Sequence, residues 1–168
     1  PSQSRCEYAS PPGCPPPPEI VAQFIEMVAR GDEIPAGANL APDISLCDDC
    51  DRNPKEEKVI PDIVRPHRLK EDNGDCFLLQ GVLCMGPVTR SGCSTRCINA
   101  NFPCTGCMGP TSRVTDQGAR FASAVGSILG GEDVEKNREK IEEMVEKIDD
   151  PLGTFYMYTL ASSIVGGK

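Results

Sequence analysis

The sequence predicts an irregular, helix-containing fold whose middle third is organised by cysteines rather than by a broad apolar core. Eight of the ten cysteines fall in the 61 residues from Cys47 to Cys107. Sixteen prolines and sixteen glycines in 168 residues impose much irregular backbone. Sustained helical periodicity is confined to the two ends. Apolar residues make up 39% of the chain, but that figure includes the ten cysteines, and only 5% are aromatic, with no Trp. This is thin material for a self-sufficient core, so the middle needs an inorganic nucleus or covalent staples.

Charge and hydropathy narrow the function. Seventeen basic against 25 acidic side chains give a formal charge of −8, which argues against a nucleic-acid binder because little would neutralise phosphates. No run approaches the ~18 consecutive apolar residues of a membrane span. The chain opens on Pro1 without a signal-peptide pattern, and a fragment or processed product is expected.

Taken in order, residues 1–46 open on PPGCPPPPE. Pro15 to Pro18 hold the backbone extended. A helix should start at Glu19, where an acid suits the positive end of the dipole. Ile20, Val21, Phe24, Ile25 and Val28 then share one face, and Arg30 and Gly31 close it. Residues 47–110 carry turn signals throughout and no sustained period. The charged stretch between Cys50 and Cys76, with Pro54, Pro61 and Pro66, reads as a surface excursion without a long helix. In residues 111–168, Phe121, Ala122, Val125, Ile128 and Leu129 predict one helix stopped at Gly130–Gly131. A second, Asp133 to Ile148, carries Val134, Ile141, Met144, Val145 and Ile148 on one stripe. Asp150–Pro151 ends it, and an apolar tail with Phe155, Tyr156 and Tyr158 should dock on this chain or on a partner.

Three chemistries compete for the cysteines. Disulfides suit small secreted domains, but the CxxC pairs Cys47/Cys50 and Cys104/Cys107 are of a kind more often redox-active or metal-binding. Zinc in two Cys₄ sites satisfies the count, yet those pairs stand too far apart for a zinc ribbon and four cysteines intervene. Iron–sulfur clusters need thiolates in fours on short loops shaped by Gly and Pro, with backbone N–H groups available to sulfur. Cys93, Cys97, Cys104 and Cys107 form a compact quartet, and Cys47, Cys50, Cys76 and Cys84 remain as a second. Spacing alone does not fix the partition: Cys84 and Cys93 exchange on paper.

The segment CFLLQGVLCMGPVTRSGCSTRCINANFPCTGCMGP, Cys76 to Pro110, closely resembles the small subunit of NiFe hydrogenases, nearest the methyl-viologen-reducing enzyme of methanogens and the sulfhydrogenase delta subunit. PPGCPPPPE resembles that family's GCPPxPE motif, shared with a respiratory complex I subunit that lacks the eight-cysteine region. DPLGTFYMYTLAS resembles the family's C-terminal tail. The resemblance implies an α+β fragment in three parts. Residues 1–46 would be the end of a flavodoxin-like α/β domain, 47–110 a two-cluster iron–sulfur domain, and 111–168 a helical region with a subunit-docking tail. It implies Cys14 as the last ligand of a proximal 4Fe–4S cluster whose other ligands lie mostly outside this chain. Cys47, Cys50, Cys76 and Cys84 would hold the distal cluster, with Cys47 where many relatives have His. Cys93, Cys97, Cys104 and Cys107 would hold the medial cluster, the fourth thiolate, Cys97, implying 4Fe–4S. Cys6 lies closer to Cys14 than a further proximal ligand should, and an ordinary thiol is its alternative.

What the resemblance implies for function is a cytoplasmic electron-transfer subunit. Electrons from H2 oxidation would pass through three 4Fe–4S clusters, with the NiFe centre on a separate large subunit. A ferredoxin-like adaptor and heterodisulfide reductase would follow. No catalytic acid, base or nucleophile constellation appears in the sequence. A stand-alone ferredoxin-like carrier and a zinc-stabilised interaction module are the competing readings. Among other residues, His67 is expected to face solvent and Met85 and Met108 to fill space around the cysteines. Asp48 and Asp49 read as solvated carboxylates that would lower a nearby cluster's potential. Arg90, Arg96 and Arg113 read as surface charges or as partial balance for anionic clusters.

Overall fold

The computed structural model describes residues 11–54, 60, 62–69, 71–130 and 138–166. Among these residues five α-helices form: α1 (Pro18–Arg30), α2 (Arg96–Asn99), α3 (Gln117–Gly130), α4 (Arg138–Glu146) and α5 (Pro151–Tyr156). Among the described residues no strand forms, and only isolated bridges, Ser45 with Arg90 and Val64 with Val82, bring extended segments together. Loops and single turns therefore carry most of the region between α1 and α3.

Helix α1 begins where the prolines predict, with Pro at its first turn and Glu19 beside it. Gly31 ends it at φ 75°, left-handed, with its N–H on the Val28 carbonyl. The expected apolar face is only partly used. Ile20 is buried against Ala41 and Met108, whereas Ile25 and Val28 are exposed. The helix is anchored by its first turn, with Val21 and Phe24 half-buried further along the stripe.

The larger core joins both halves of the chain. Phe77, Leu78 and Val82 meet Phe121, Val125, Met144, Phe155 and Tyr156. Helix α3 packs on α4, on α5 and on the single turn Gly86–Val88, so the helical C-terminal region forms the floor beneath the cysteine loops. Phe121 is fully buried and meets Phe155 edge to face, centroids 5.3 Å apart. Helix α4 is described only from Arg138; Asp133 to Asn137, including Val134, lie outside the described residues.

Two expectations are corrected, and the tail gains a secondary structure that its sequence left unassigned. The excursion between Cys50 and Cys76 has no long helix among its described residues, but Ile60 and Ile63 are in the core and Val64 pairs with Val82. The C-terminal tail is in part a helix, because Asp150 accepts the Gly153 N–H and Pro151 occupies the first turn. Arg90 is no surface charge. It is 5% exposed, paired with Asp43 and donating to the carbonyls of Ala41, Pro42 and Pro110, where it straps the ends of the cysteine region together.

Candidate metal centre

The structure brings Cys47, Cys50, Cys76 and Cys84 together around one cavity, whose walls include Phe77, Leu78 and Ile98. Each sulfur is delivered by a short local motif. Cys47 lies in, and Cys50 directly follows, a single turn, Leu46–Asp49, opened by a capping box between Ser45 and Asp48. Leu46, buried, donates to the Thr89 carbonyl and sets this turn beside the Cys84 segment. Cys76 starts a turn in which its carbonyl accepts from Leu79 and Gln80. Gly86 runs directly beneath two of the sulfurs: a Cβ there would lie 3.2 Å from Cys47 Sγ and 3.6 Å from Cys84 Sγ. Only a glycine leaves that cradle open.

The second set lies next to it. Cys97 rides on α2, which starts after Ser94 and Thr95, both in the left-handed region at φ 54° and 50°. Cys104 is buried, while Cys93 and Cys107 are half-buried against Met108, Ile20 and Ala41. Burial pushes the Cys107 thiol up; the backbone N–H of Cys14 opposes this by donating to its sulfur, and Cys93, Cys97 and Cys14 lie within electrostatic reach. Cys14 itself is exposed at the margin of this set. Cys6 lies outside the described residues.

The two sets touch. The Cys104 N–H donates to Cys84 Sγ at 3.3 Å, and Met85 N–H donates to the Cys104 carbonyl at 2.8 Å. Burial pushes both thiols up. For Cys84 the N–H groups of Gly86 and Cys104 oppose the shift; for Cys104 the Gly106 N–H and Thr89 hydroxyl do. Buried thiols with raised pKa are inert as free nucleophiles. The same amides are donors suited to thiolate once a metal displaces the protons.

Support around the sites comes from residues that sequence patterns do not flag. Gln117, buried at the start of α3, donates through Nε2 to Thr89 Oγ1 at 3.0 Å and to the Gly106 carbonyl at 3.3 Å. It thereby fixes the loop between Cys104 and Cys107 to the Cys84 turn. Arg52 lines the first cavity. Met85 and Met108 are buried as expected, and His67 is exposed. Asp49 accepts from the Ser91 hydroxyl, and Arg96 pairs with Glu19 on the surface. Among the described residues no disulfide forms, and no three His, Cys, Asp or Glu side chains close on a single-ion position.

No protein-family model matches the chain. Curated relatives do. The F420-non-reducing hydrogenase G-subunit of Methanothermus fervidus is 40% identical over 130 residues, which is 72% of this chain and the whole of that relative. The chain belongs to the G-subunit family of F420-non-reducing hydrogenases. Further relatives of the same name match along nearly all of it. That of Methanothermobacter marburgensis is 37% identical over 159 residues, 94% of this chain and 49% of the relative. In Archaeoglobus profundus the relative, whose name adds that it is an iron-sulfur protein, is 36% identical over 160 residues, 93% of this chain and 48% of that protein. The chain thus spans about half the length of these last two relatives.

An iron–sulfur group fits the thiols of this hydrogenase family member on the structure's own terms. Four cysteines line one cavity whose walls include Phe77, Leu78 and Ile98, backbone N–H groups point at sulfur, and the backbone at Gly86 carries no Cβ to fill the cradle. These are the elements by which a protein holds and tunes such a group: thiolate ligands, amide donors and burial.

Proposed function

We propose that this chain is the cluster-bearing part of an electron-transfer subunit in a NiFe hydrogenase. Cys47, Cys50, Cys76 and Cys84 hold one 4Fe–4S cluster, Cys93, Cys97, Cys104 and Cys107 hold a second, and Cys14 contributes to a third. The observation that carries this reading is the pair of adjoining thiol sets joined by the Cys104 N–H on Cys84 Sγ. The margin at Cys14 repeats the pattern, because the Cys14 N–H donates to Cys107. A line of sites in contact through hydrogen bonds suits one-electron relay, and reversible one-electron storage is the chemistry the clusters supply when bound.

The protein's own residues do the rest. Phe77, Leu78 and Ile98 keep water from the first site, and Gln117 and Thr89 hold the second against the first. Residues 1–46 continue a flavodoxin-like α/β domain. Hydrogen is split on a separate large subunit carrying the NiFe centre. Electrons leave through a ferredoxin-like adaptor to heterodisulfide reductase, in the cytoplasm. The exposed Ile25 and Val28 of α1 and the exposed apolar residues of the tail are surfaces for such an assembly.

The test is iron and acid-labile sulfide per chain in anaerobically purified protein, with electron paramagnetic resonance under reduction and a search for a co-purifying large subunit with hydrogen-uptake activity. Two cluster signals assigned to the eight cysteines, in a hydrogen-consuming complex, are expected. Stoichiometric zinc without sulfide would make the chain a zinc-stabilised module. Clusters on a chain that runs alone and consumes no hydrogen would make it a free carrier.

A further inference from the structure

Arg52 stands two residues beyond Cys50 and reaches back across the first site. Its guanidinium lies over the Phe77 ring, 4.6 Å from the centroid. It grips Asp72 in a two-pronged ion pair at 2.8 and 2.9 Å. From the same fork Nη2 donates to Asn101 Oδ1 at 2.8 Å. These partners belong to different cysteine loops: Asp72 and Phe77 flank Cys76, and Asn101 follows the helix carrying Cys97. Asn101 can present its side chain there because its backbone turns left-handed, φ 57°. The Arg52 side chain is only 15% exposed, so its charge is not free to swing into solvent.

We propose that Arg52 is a positioning residue that brackets the cysteine loops and sets the reduction potential of the group held by Cys47, Cys50, Cys76 and Cys84. This rests on the cluster reading above. A planar fork that serves a carboxylate and a carboxamide together is a task for Arg rather than Lys. The Cys50 and Cys76 thiols are within its electrostatic reach. A reduced cluster carries one more negative charge than an oxidised one, so a fixed cation beside it favours the reduced state and raises the potential. Asp72 lies on the other side of the pair and offsets part of that charge.

This arrangement makes the two partners act in opposite senses. Removing the cation leaves Asp72 uncompensated and lowers the potential. Removing the carboxylate leaves Arg52 uncompensated, still held by Phe77 and Asn101, and raises it. A bracket that mattered only for shape would respond to loss of either partner in the same direction.

The experiment is a potentiometric titration followed by electron paramagnetic resonance on anaerobically purified wild-type, R52Q, D72N and R52Q/D72N protein, each with iron and sulfide measured. In R52Q the first site's signal should shift negative by roughly tenfold in its oxidised-to-reduced ratio, about 59 mV for one electron. In D72N it should shift positive, and the double variant should return towards wild type, with the second site's signal moving less throughout. If R52Q loads less iron, D72N alone gives the sign, and a negative shift there overturns the proposal. Unmoved potentials with intact iron and sulfide overturn it while leaving the proposed function standing. A wild-type protein without iron and sulfide overturns both.

Discussion

The backbone N–H of Cys104 donates to the sulfur of Cys84, 3.3 Å away, so a cysteine of one thiol set is hydrogen-bonded to a cysteine of the other. The Met85 N–H returns to the Cys104 carbonyl at 2.8 Å and locks that contact from the opposite side. Removing Cys84 therefore does two things at once: it strips a ligand from the first site and leaves a buried N–H of the second without its acceptor, typically worth about 1–3 kcal/mol. Under the proposed function, C50A should lose about four irons and leave the second site's resonance signal in place. C84A should lose the same iron and also displace that second signal. Iron analysis with resonance spectroscopy of the two variants checks this; identical second-site spectra would show that the contact is inert.

Gly86 offers a sharper probe of the cradle, because its backbone can accept a side chain while its surroundings cannot. An added Cβ meets Cys47 Sγ at 3.2 Å, tighter than ordinary contact, and Cys84 Sγ at 3.6 Å. Overpacking of this kind typically costs about 1–3 kcal/mol. G86A should fold, as judged by far-ultraviolet circular dichroism, but bind iron at the first site more weakly. G86V should lose that site. Full loading of G86V would mean that the two sulfurs do not flank Gly86 in the folded protein.

Much of the site was legible because cysteine chemistry is local and countable. The CxxC pair at Cys47 and Cys50, together with Cys76 and Cys84, converges on one cavity, a partition that spacing left open. The start and stop of α1 follow from Pro18, Glu19 and Gly31 for the same reason: each acts through its own backbone. What was illegible depends on distant partners. Arg90 reads as a surface charge until the carbonyls of Ala41, Pro42 and Pro110 are seen to surround it. Ile60 and Ile63 sit among prolines and charges with no period to reveal that they are buried. Gln117 carries no signal of its own, since its role comes from a loop eleven residues upstream.

Acid should loosen the C-terminal segment through Asp116. Its side chain accepts from the backbone N–H groups of Ala119 and Ile164, both at 2.8 Å, and from the Tyr156 hydroxyl. Burial alone would raise its pKa, but these donors outweigh burial and hold the carboxyl below the usual carboxylate range. A depressed folded-state pKa means that the stabilisation is present above the ordinary Asp pKa and is lost as pH falls through the lower, folded value. Hydrogen exchange of residues 156–164 should therefore accelerate as pH drops below about 4, after correction for intrinsic rates. D116N, which cannot recover the charge, should show the faster exchange already at neutral pH. Equal protection in D116N and wild type at neutral pH would remove Asp116 as the bolt.

The same tail separates folding from assembly residue by residue. Phe155 and Tyr156 are buried, and Phe155 meets Phe121 at 79° between ring planes. Met157, Leu160, Ile164 and Val165 are exposed along the next turns, and three of them, Met157, Leu160 and Val165, line one open groove, an apolar surface of the kind that marks a contact with another protein. F155A should cost about 3–5 kcal/mol of stability, as large aromatic truncations in a core do. Pairing it with F121A should reveal a coupling of about 0.5–1.5 kcal/mol in a double-mutant cycle. M157S and I164S should leave stability within about 0.5 kcal/mol, as surface changes do, while weakening recovery of the proposed large subunit in affinity purification. Complex yield unchanged in the double variant M157S/I164S would move the docking surface off this tail, with the aromatic pair still accounting for how the tail holds to its own chain.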